Sequence, residues 1–213
     1  RHGVDSGCTG IYINGDAIDF YQASRWSRDP NARNIHEEIE TLHAILDMLP
    51  FEERVYKIGN HEERLTRRLW ESTPEFAVLP RFAVDEVLEI KERGFRVVHS
   101  KQHALAGKLN LWHGHELPKG LVAAVNPARG IWLRVKDGGA CSHFHKTSQH
   151  TETSGAKNKK LTVCHSIGCL CDLTPDYASI NAWNSGFAVI EIGQRGDYQF
   201  DNFLVDRGKV YAS

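Results

Sequence analysis

Five residues spread along the chain are of the types that bind divalent metals. They are Asp16, Asn60, His113, His143 and His145. A carboxylate can bridge two cations, an amide adds a neutral carbonyl oxygen, and imidazoles complete a mixed oxygen and nitrogen set suited to Mn, Fe, Zn and related ions. These residue types predict a metal site that needs no thiolate ligand.

Each candidate ligand follows a stretch that predicts a β-strand, and helical patterns separate several of these stretches. Strand patterns cover 10–14, 54–58, 95–98, 109–112 and 138–141, and helical periodicity covers 34–48, 63–71, 84–93 and, interrupted by Pro127, 121–136. Alternating strands and helices predict an α/β fold with parallel strands, whose ligand sites lie at the carboxyl ends of the strands. The candidate ligands all fall at such ends.

The C-terminal part of the chain has a different pattern. Three strand-like stretches, at 161–164, 186–192 and 198–205, predict antiparallel strands at the C-terminal end of the chain, with turns at 193–196 and 207–208. Residues 151–160 are polar and predict a solvent loop with solvated lysines.

The composition and charge of the chain limit the classes of function to be expected. The 213 residues carry a net charge of −1, which gives no global attraction to nucleic acid or anionic membranes. The apolar runs are far shorter than the roughly 18 residues of a membrane span, and no basic stretch followed by an apolar run opens the chain. We expect one soluble, cytoplasmic domain over residues 1–213 that has no membrane partner.

The five cysteines lack CxxC spacing, which favours free thiols in a reducing compartment. We interpret Cys169 and Cys171 as small buried residues rather than as zinc ligands. Trp183 and Phe187 are predicted to be core aromatics.

Four motifs in sequence order resemble those of the calcineurin-like metallophosphoesterases, namely GDxxD, GNH[DE], a strand-terminal His-Gly and GHxH. Here they stand as Gly15–Asp19, Gly59–Glu62, His113–Gly114 and Ser142–His145. The resemblance covers residues from about 10 to 145. GNHE is specific because it follows a strand and lies downstream of a Gly-Asp pair.

The resemblance implies a metallophosphoesterase-type α/β/β/α sandwich with mixed sheets and two divalent ions, with Mn expected and Fe, Zn, Ni or Co as alternatives. Asp16, Asn60, His113 and His143 would surround one ion, and Asp16 and His145 would contribute to the other. A metal-activated hydroxide would attack a phosphate mono- or diester. His61 would protonate the leaving oxygen or stabilise the transition state.

Two departures from the family pattern stand out. Ser142 replaces the usual glycine, which could strain the backbone beside His143. The family's first motif, DxH, and its strand are missing, since only residues 1–10 precede the first strand pattern. We therefore expect an N-terminally truncated fragment.

Neighbouring polar residues receive plainer interpretations. Glu62 is expected to orient His61 or cap the following helix, and Asp19 to hold a loop. His115 is a spare ligand or supports one. Helical spacing places three arginines on different, solvated faces: Arg64, Arg67 and Arg68.

Two alternative functions stay open. The family includes nucleases acting on DNA or RNA phosphodiesters, and the segments at 168–177 and 182–190 look like phage or prophage members. A metal-poor, non-catalytic binding or scaffold module is the other alternative, which the missing DxH would favour if the chain were complete.

Overall fold

The computed structural model describes residues 2–26, 29–118, 125–155, 157 and 159–212. The chain forms two compact units, Arg1–Gln102 and His103–Ser213.

The first unit is built on a three-stranded parallel sheet. Its strands, in the order β1-β2-β3, are β1 (Gly10–Ile13), β2 (Glu53–Lys57) and β3 (Arg96–Val98). The helices of this unit are α1 (His2–Asp5), α2 (Ile35–Asp47), α3 (Glu62–Ser72), α4 (Pro74–Ala77) and α5 (Val84–Val87), with 3₁₀ turns at Tyr21–Ala23 and Pro80–Phe82. The predicted alternation of strands and helices is confirmed here.

The helix α2 connects β1 to β2, and its start is specified by local chemistry. The side chain of Asn34 accepts a hydrogen bond from the amide of Glu37, and the Glu37 carboxylate accepts one from the amide of Asn34. This capping box satisfies two of the amide donors that every helix start exposes. Leu42 and Leu46 of α2 join Tyr56 of β2 in the core of the first unit.

The predicted helix over 84–93 is largely wrong. Only Val84–Val87 is helical, and the chain continues in turns. Glu89 has a φ of 48° and Gly94 one of 79°. Left-handed backbone at Glu89 breaks the helical hydrogen-bond series, while Leu88 and Ile90 remain fully buried as the apolar pattern requires.

The second unit contains two sheets. One has five strands in the order β4-β5-β6-β8-β7, and the other is antiparallel with the order β11-β10-β9. The bounds are β4 (Ala104–Ala106), β5 (Leu109–Leu111), β6 (Gly139–Cys141), β7 (Ser148–Thr153), β8 (Leu161–Ser166), β9 (Ser185–Ile192), β10 (Tyr198–Asp206) and β11 (Lys209–Ala212). The predicted antiparallel pairing near the C-terminal end is confirmed for β9 and β10.

Parallel pairing in the five-stranded sheet is confined to its middle. The strands β5, β6 and β8 run parallel, whereas β4 and β7 pair antiparallel at the two edges. The helix α6 (Pro127–Val135) begins at Asn126, whose side chain accepts from the amide of Arg129. Ala128 and Ile131 of α6 are fully buried in the core of this unit.

Three short strands, β4, β7 and β11, are missing from the sequence-based predictions. The predicted loop over 151–160 is wrong for its first residues, because Thr151 to Thr153 belong to β7. The predicted helix over 121–136 is confirmed from Pro127 to Val135, and residues 121–124 lie outside the described part of the chain. Alternating exposure along β7 explains its polar sequence, since one face is turned to solvent.

Both units thus combine helices with sheets, one of which is mixed, in agreement with the predicted α/β class. Among the described residues, no helix has the length and apolar character needed to cross a membrane.

Candidate functional site

In the first unit, two predicted ligands follow neighbouring parallel strands. Asp16 comes three residues after Ile13, the last residue of β1, and Asn60 three residues after Lys57, the last of β2. Gly15 and Asp16 both have positive φ, of 86° and 57°, so the chain turns sharply as it leaves β1. Asp tolerates this conformation better than most residues do. The predicted strand-end placement is confirmed for both.

The loops that carry these two residues are joined by the carboxylate of Glu62, which is completely buried. It accepts hydrogen bonds from the amides of Asp16 at 3.0 Å, Ala17 at 2.9 Å and Gly59 at 2.9 Å, and from the hydroxyl of Tyr56 at 2.8 Å. Burial and the nearby Asp16 charge raise the pKa of Glu62, against the effect of these donors. Glu62 therefore holds the backbone of both strand ends.

Close backbone approach explains why glycine precedes Asn60. A Cβ atom built on Gly59 would lie 2.3 Å from Oδ1 of Asp16, 2.6 Å from its amide nitrogen and 2.9 Å from Oε2 of Glu62. No side chain fits there without moving the loop after β1. The position of Asp16 is also held by a hydrogen bond of 2.8 Å from the amide of His61 to its Oδ1.

The imidazole of His61 is held on both nitrogens. Its Nδ1 lies 2.8 Å from Oδ1 of Asp19, and its Nε2 lies 2.9 Å from Nη2 of Arg64. Arg64 also donates to the main-chain oxygen of Asp19 at 2.9 Å and to its carboxylate. Because a guanidinium only donates, these contacts are satisfied together when the imidazole proton is on Nδ1 and Nε2 accepts.

Charges in this cluster act on Asp19. Burial alone would raise the pKa of its carboxyl, but the hydrogen bond from His61 and the guanidinium of Arg64 outweigh it and lower the pKa below the ordinary value. Asp19 is thus an anion at neutral pH. Its position toward Nδ1 fixes the ring orientation of His61, as carboxylates do for functional histidines elsewhere.

In the second unit, His113 and His143 follow the parallel strands β5 and β6. Nε2 of His113 and Nδ1 of His143 lie 3.2 Å apart, and the ring centroids are separated by 5.1 Å. His113 is buried, with 1% of its surface exposed. Two residues 30 positions apart in sequence are therefore brought together with ring nitrogens facing each other.

Backbone contacts hold these two strand ends in place. The carbonyl of His113 accepts from the amides of Ser142 at 3.0 Å and His143 at 2.9 Å. The carboxylate of Glu116 accepts from the amides of His113 at 2.9 Å and Gly114 at 2.7 Å. Glu116 thus does for the loop after β5 what Glu62 does in the first unit.

Local backbone conformation explains the glycine and the serine of this region. Gly114 has a φ of 129°, and a Cβ there would lie 2.8 Å from Cβ of His143. Ser142 is not among the residues with positive φ. The expected strain at Ser142 is therefore wrong, because its backbone has no need of glycine.

The geometry of the histidine pair fits a shared cation. Two imidazole nitrogens bound at about 2.0–2.1 Å to one metal, at octahedral or tetrahedral angles, lie roughly 2.9–3.4 Å apart. The observed 3.2 Å falls within that range. The ring of His115 lies 5.1 Å from that of His113, and its Nδ1 lies 3.5 Å from Glu116.

His145 has different neighbours. It offers one ligand atom to a group with Cys169 and Cys171, and the ligand atoms of the three residues all lie within 4.8 Å of one another. The ring of His145 meets that of Trp183 edge-on, with centroids 4.4 Å apart. A hydrogen bond with Cys171 lowers the pKa of the Cys169 thiol to about 7, and the pKa of Cys171 is raised by the same hydrogen bond.

Several sequence-based interpretations need correction. Cys171 is exposed and Cys169 half-buried, so neither is a buried core residue. Trp183 is half-buried against His145 rather than in the core. Arg64 is not a solvated charge, because it binds Asp19 and His61, whereas Arg67 pairs with Glu63 on the surface, as expected.

Sequence reasoning missed Glu116 altogether and gave Asp19 and Arg64 only ordinary roles. A signal was present for Glu116, since it stands three residues beyond a strand-end histidine, as Glu62 stands two beyond Asn60. The pairing of Asp19 with Arg64 spans 45 residues and leaves no local pattern. The GNHE motif draws attention to Glu62, but its four hydrogen bonds appear only in three dimensions.

The chain was compared with protein-family models, with curated proteins and with solved structures, and none of them matches it.

Proposed function

We propose that this chain belongs to the calcineurin-like metallophosphoesterases, with their fold, and is a metal-dependent hydrolase of phosphate esters. Its metal ligands are Asp16, Asn60, His113 and His143, whereas the fifth ligand that the resemblance implies, His145, groups with Cys169 and Cys171. The observation that carries the proposal is the 3.2 Å separation of Nε2 of His113 and Nδ1 of His143 at the ends of parallel strands. Two imidazoles that face each other nitrogen to nitrogen, one buried and one half-buried, are typical ligands of a divalent cation.

A bound divalent ion would supply Lewis acidity to the phosphoryl oxygens and a water-derived nucleophile at neutral pH. The residues of the chain position the ligands. Glu62 and Glu116 accept hydrogen bonds from backbone amides and so hold the loops that carry Asp16 and His113. Neither carboxylate is therefore proposed as a metal ligand. Mn²⁺ is the ion that the resemblance implies, and a mixed set of oxygen and nitrogen donors accepts it, as it does Fe and Zn.

His61 is the proposed catalytic residue, acting on the leaving oxygen. Asp19 holds the proton-bearing Nδ1, and Arg64 lies at Nε2, the nitrogen with which the ring would donate. Donation from Nε2 requires the ring to take up a second proton, which gives the imidazolium, and the guanidinium to turn toward substrate, where its positive charge would stabilise phosphoryl oxygens. Asp19 and Arg64 are positioning residues in this scheme.

The test is hydrolysis of an aryl phosphate monoester and a bis-aryl diester by the full-length protein with Mn²⁺. His61→Ala should lower kcat by about 10²- to 10⁴-fold and leave the bound Mn²⁺ nearly unchanged. His113→Ala and His143→Ala should each lower the Mn²⁺ content itself. His36→Ala, on the exposed side of α2, is the matched control and should change neither quantity.

Hydrolysis that needs no metal, or no hydrolysis with any divalent ion, would contradict the proposal. A substrate panel then separates the phosphatase from the nuclease within the same chemistry. Nucleotide monophosphates, phosphopeptides and single-stranded DNA should be compared with the aryl esters at equal Mn²⁺.

A further inference from the structure

We propose that His145, Cys169 and Cys171 form a separate metal site that binds a borderline-soft cation, with Zn²⁺ as the physiological ligand class. This inference does not depend on phosphoesterase activity. It rests on three potential ligands brought together within the second unit, with ligand atoms within 4.8 Å of one another.

Strand topology places these residues at one edge of the sheet. The strands β6 and β8 are parallel neighbours, with Cys141 paired to Ser166. His145 follows Cys141 by four residues and Cys169 follows Ser166 by three, so both leave the carboxyl ends of adjacent strands. This is the same arrangement that brings His113 and His143 together one strand away.

Main-chain hydrogen bonds through Asn184 fix the two loops to each other. Its amide donates to the carbonyl of His145 at 2.9 Å, and its carbonyl accepts from the amide of Cys169 at 3.0 Å. The carbonyl of Cys169 in turn accepts from the amide of Gly186 at 3.0 Å, at the start of β9. The spacing of His145 and Cys169 is therefore set by the backbone, which preorganises the site.

Cys171 completes the group because the chain bends after Cys169, and the two thiols lie close enough to share a hydrogen bond. The chain bends at Leu170 and Cys171, directly after the single bridge between Cys169 and Ser185. Both thiols thus lie near His145. Because the cysteines lack CxxC spacing, the sequence alone does not predict a metal site here.

The donor set decides which metal is expected. Two thiolates and one imidazole are typical ligands of Zn²⁺, at about 2.3 Å for sulfur and 2.0–2.1 Å for nitrogen. In a tetrahedral site such ligand atoms lie roughly 3.5–3.8 Å apart, which small side-chain rotations reach from the present positions. Three protein ligands leave the fourth position to water or an added ligand, and the exposure of Cys171 keeps that position accessible.

Cobalt provides a direct readout, because Co²⁺ replaces Zn²⁺ and thiolate ligation gives a sulfur-to-cobalt charge-transfer band in the near ultraviolet. The reduced, metal-free full-length protein is titrated with Co²⁺ and then with Zn²⁺. We expect Co²⁺ to produce the band, with an intensity at saturation that corresponds to one thiolate site, and Zn²⁺ to abolish it.

Variants assign the band to the proposed residues. Cys169→Ser and Cys171→Ser should each weaken Co²⁺ binding at this site by about tenfold or more, since even residues that only orient ligands matter by 10–100-fold. The double variant should lose the band, and His145→Gln should shift the visible bands while thiolate absorption persists. Cys8→Ser, which changes a half-buried thiol of the first unit, is the matched control and should behave like the wild type.

The proposal is overturned if the wild-type protein, with all five thiols reduced, gives no thiolate band, or if the double variant keeps it. Circular dichroism of each variant shows that it is folded, and the cobalt titration is evaluated on folded protein. The band is read whether or not phosphate esters are hydrolysed. Failure of this site and failure of the proposed hydrolase are therefore seen separately.

Discussion

At the scale of single residues, the buried carboxylate of Glu62 joins the loops after β1 and β2. Four donors converge on it, three of them amides of the loops after β1 and β2. A carboxylate only accepts, so it matches four donors where an amide side chain would not. This residue links the folding of the unit to the placement of Asp16.

Glu62→Gln should destabilise the folded protein by about 2–4 kcal/mol, because the new NH₂ group faces amide donors and leaves buried groups unsatisfied. Chemical denaturation followed by circular dichroism measures the free energy of unfolding. Glu63→Gln is the matched control, since Glu63 forms a surface pair with Arg67 worth no more than about 1 kcal/mol. Equal effects of the two variants would show that Glu62 has no special role.

Gly59→Ala tests the close approach of the two loops. The added methyl group would lie 2.3 Å from Oδ1 of Asp16, so the loop after β1 must move. We expect a loss of stability of about 1–3 kcal/mol together with weaker Mn²⁺ binding. The matched control is Gly155→Ala, where a Cβ has nothing within 4 Å. Unchanged Mn²⁺ binding in Gly59→Ala would contradict the role given to Asp16.

At the scale of elements, one arrangement recurs three times. Neighbouring parallel strands end, and polar side chains follow within a few residues: Asp16 and Asn60, His113 and His143, and His145 and Cys169. Parallel strands that end at the same edge are what make residues so distant in sequence into neighbours. The carboxylates of Glu62 and Glu116 hold the loops in the first two cases, and the backbone of Asn184 does so in the third.

Local signals were sufficient for the elements with strong periodicity. The apolar run after Gly10 predicted β1, and the stripe behind Asn34 predicted α2 with its cap. The sequence-based prediction missed the edge strands β4, β7 and β11. Their sequences are polar or short, and pairing with a neighbouring strand, rather than residue propensity, makes them extended. The prediction of a helix over 84–93 was wrong beyond Val87, because apolar residues at helical spacing can also be buried by a series of turns.

The candidate site was predictable to a similar extent. Residue types and strand ends pointed to His113 and His143, whose ring nitrogens face each other in the structure. The partners of His145 were not found, because Cys169 and Cys171 lack a recognised spacing and join His145 only through strand pairing. Such long-range juxtapositions leave no trace in local sequence.

The capping box of α2 gives a prediction at this scale. Asn34→Ala removes the side-chain acceptor for the amide of Glu37 and should cost about 1 kcal/mol of stability. Asn34→Asp keeps an acceptor at the helix start and should retain most of the wild-type stability. Thermal or chemical unfolding measures both. If Asn34→Asp were as unstable as Asn34→Ala, the cap would not be the cause.

At the scale of the whole molecule, stability as a function of pH depends on buried groups that are not among the candidate ligands. His165 lies on β8, with 5% of its surface exposed, and its ring stacks on Phe200 of β10 with centroids 4.1 Å apart. Burial lowers the pKa of His165 to about 4. The imidazole is therefore neutral in the folded chain at pH values where the unfolded chain already binds a proton.

The sign of the effect follows from proton uptake. Between an unfolded pKa of about 6.5 and the folded value of about 4, the unfolded state binds more protons, so the free energy of unfolding rises with pH across this window. The contribution of His165 is complete above that window and is lost as the pH falls through it. Its size is about 3 kcal/mol at most.

His165→Leu should remove this contribution to acid sensitivity, because leucine stays neutral at every pH and still packs against Phe200. The measurement is the free energy of unfolding of wild type and variant at several values between pH 4 and pH 7.5. The variant should lose less stability on acidification, by about 2–3 kcal/mol, whatever its stability at neutral pH. His36→Leu, at an exposed position of α2, should keep the wild-type slope. Parallel slopes for His165→Leu and wild type would show that another buried group controls acid unfolding.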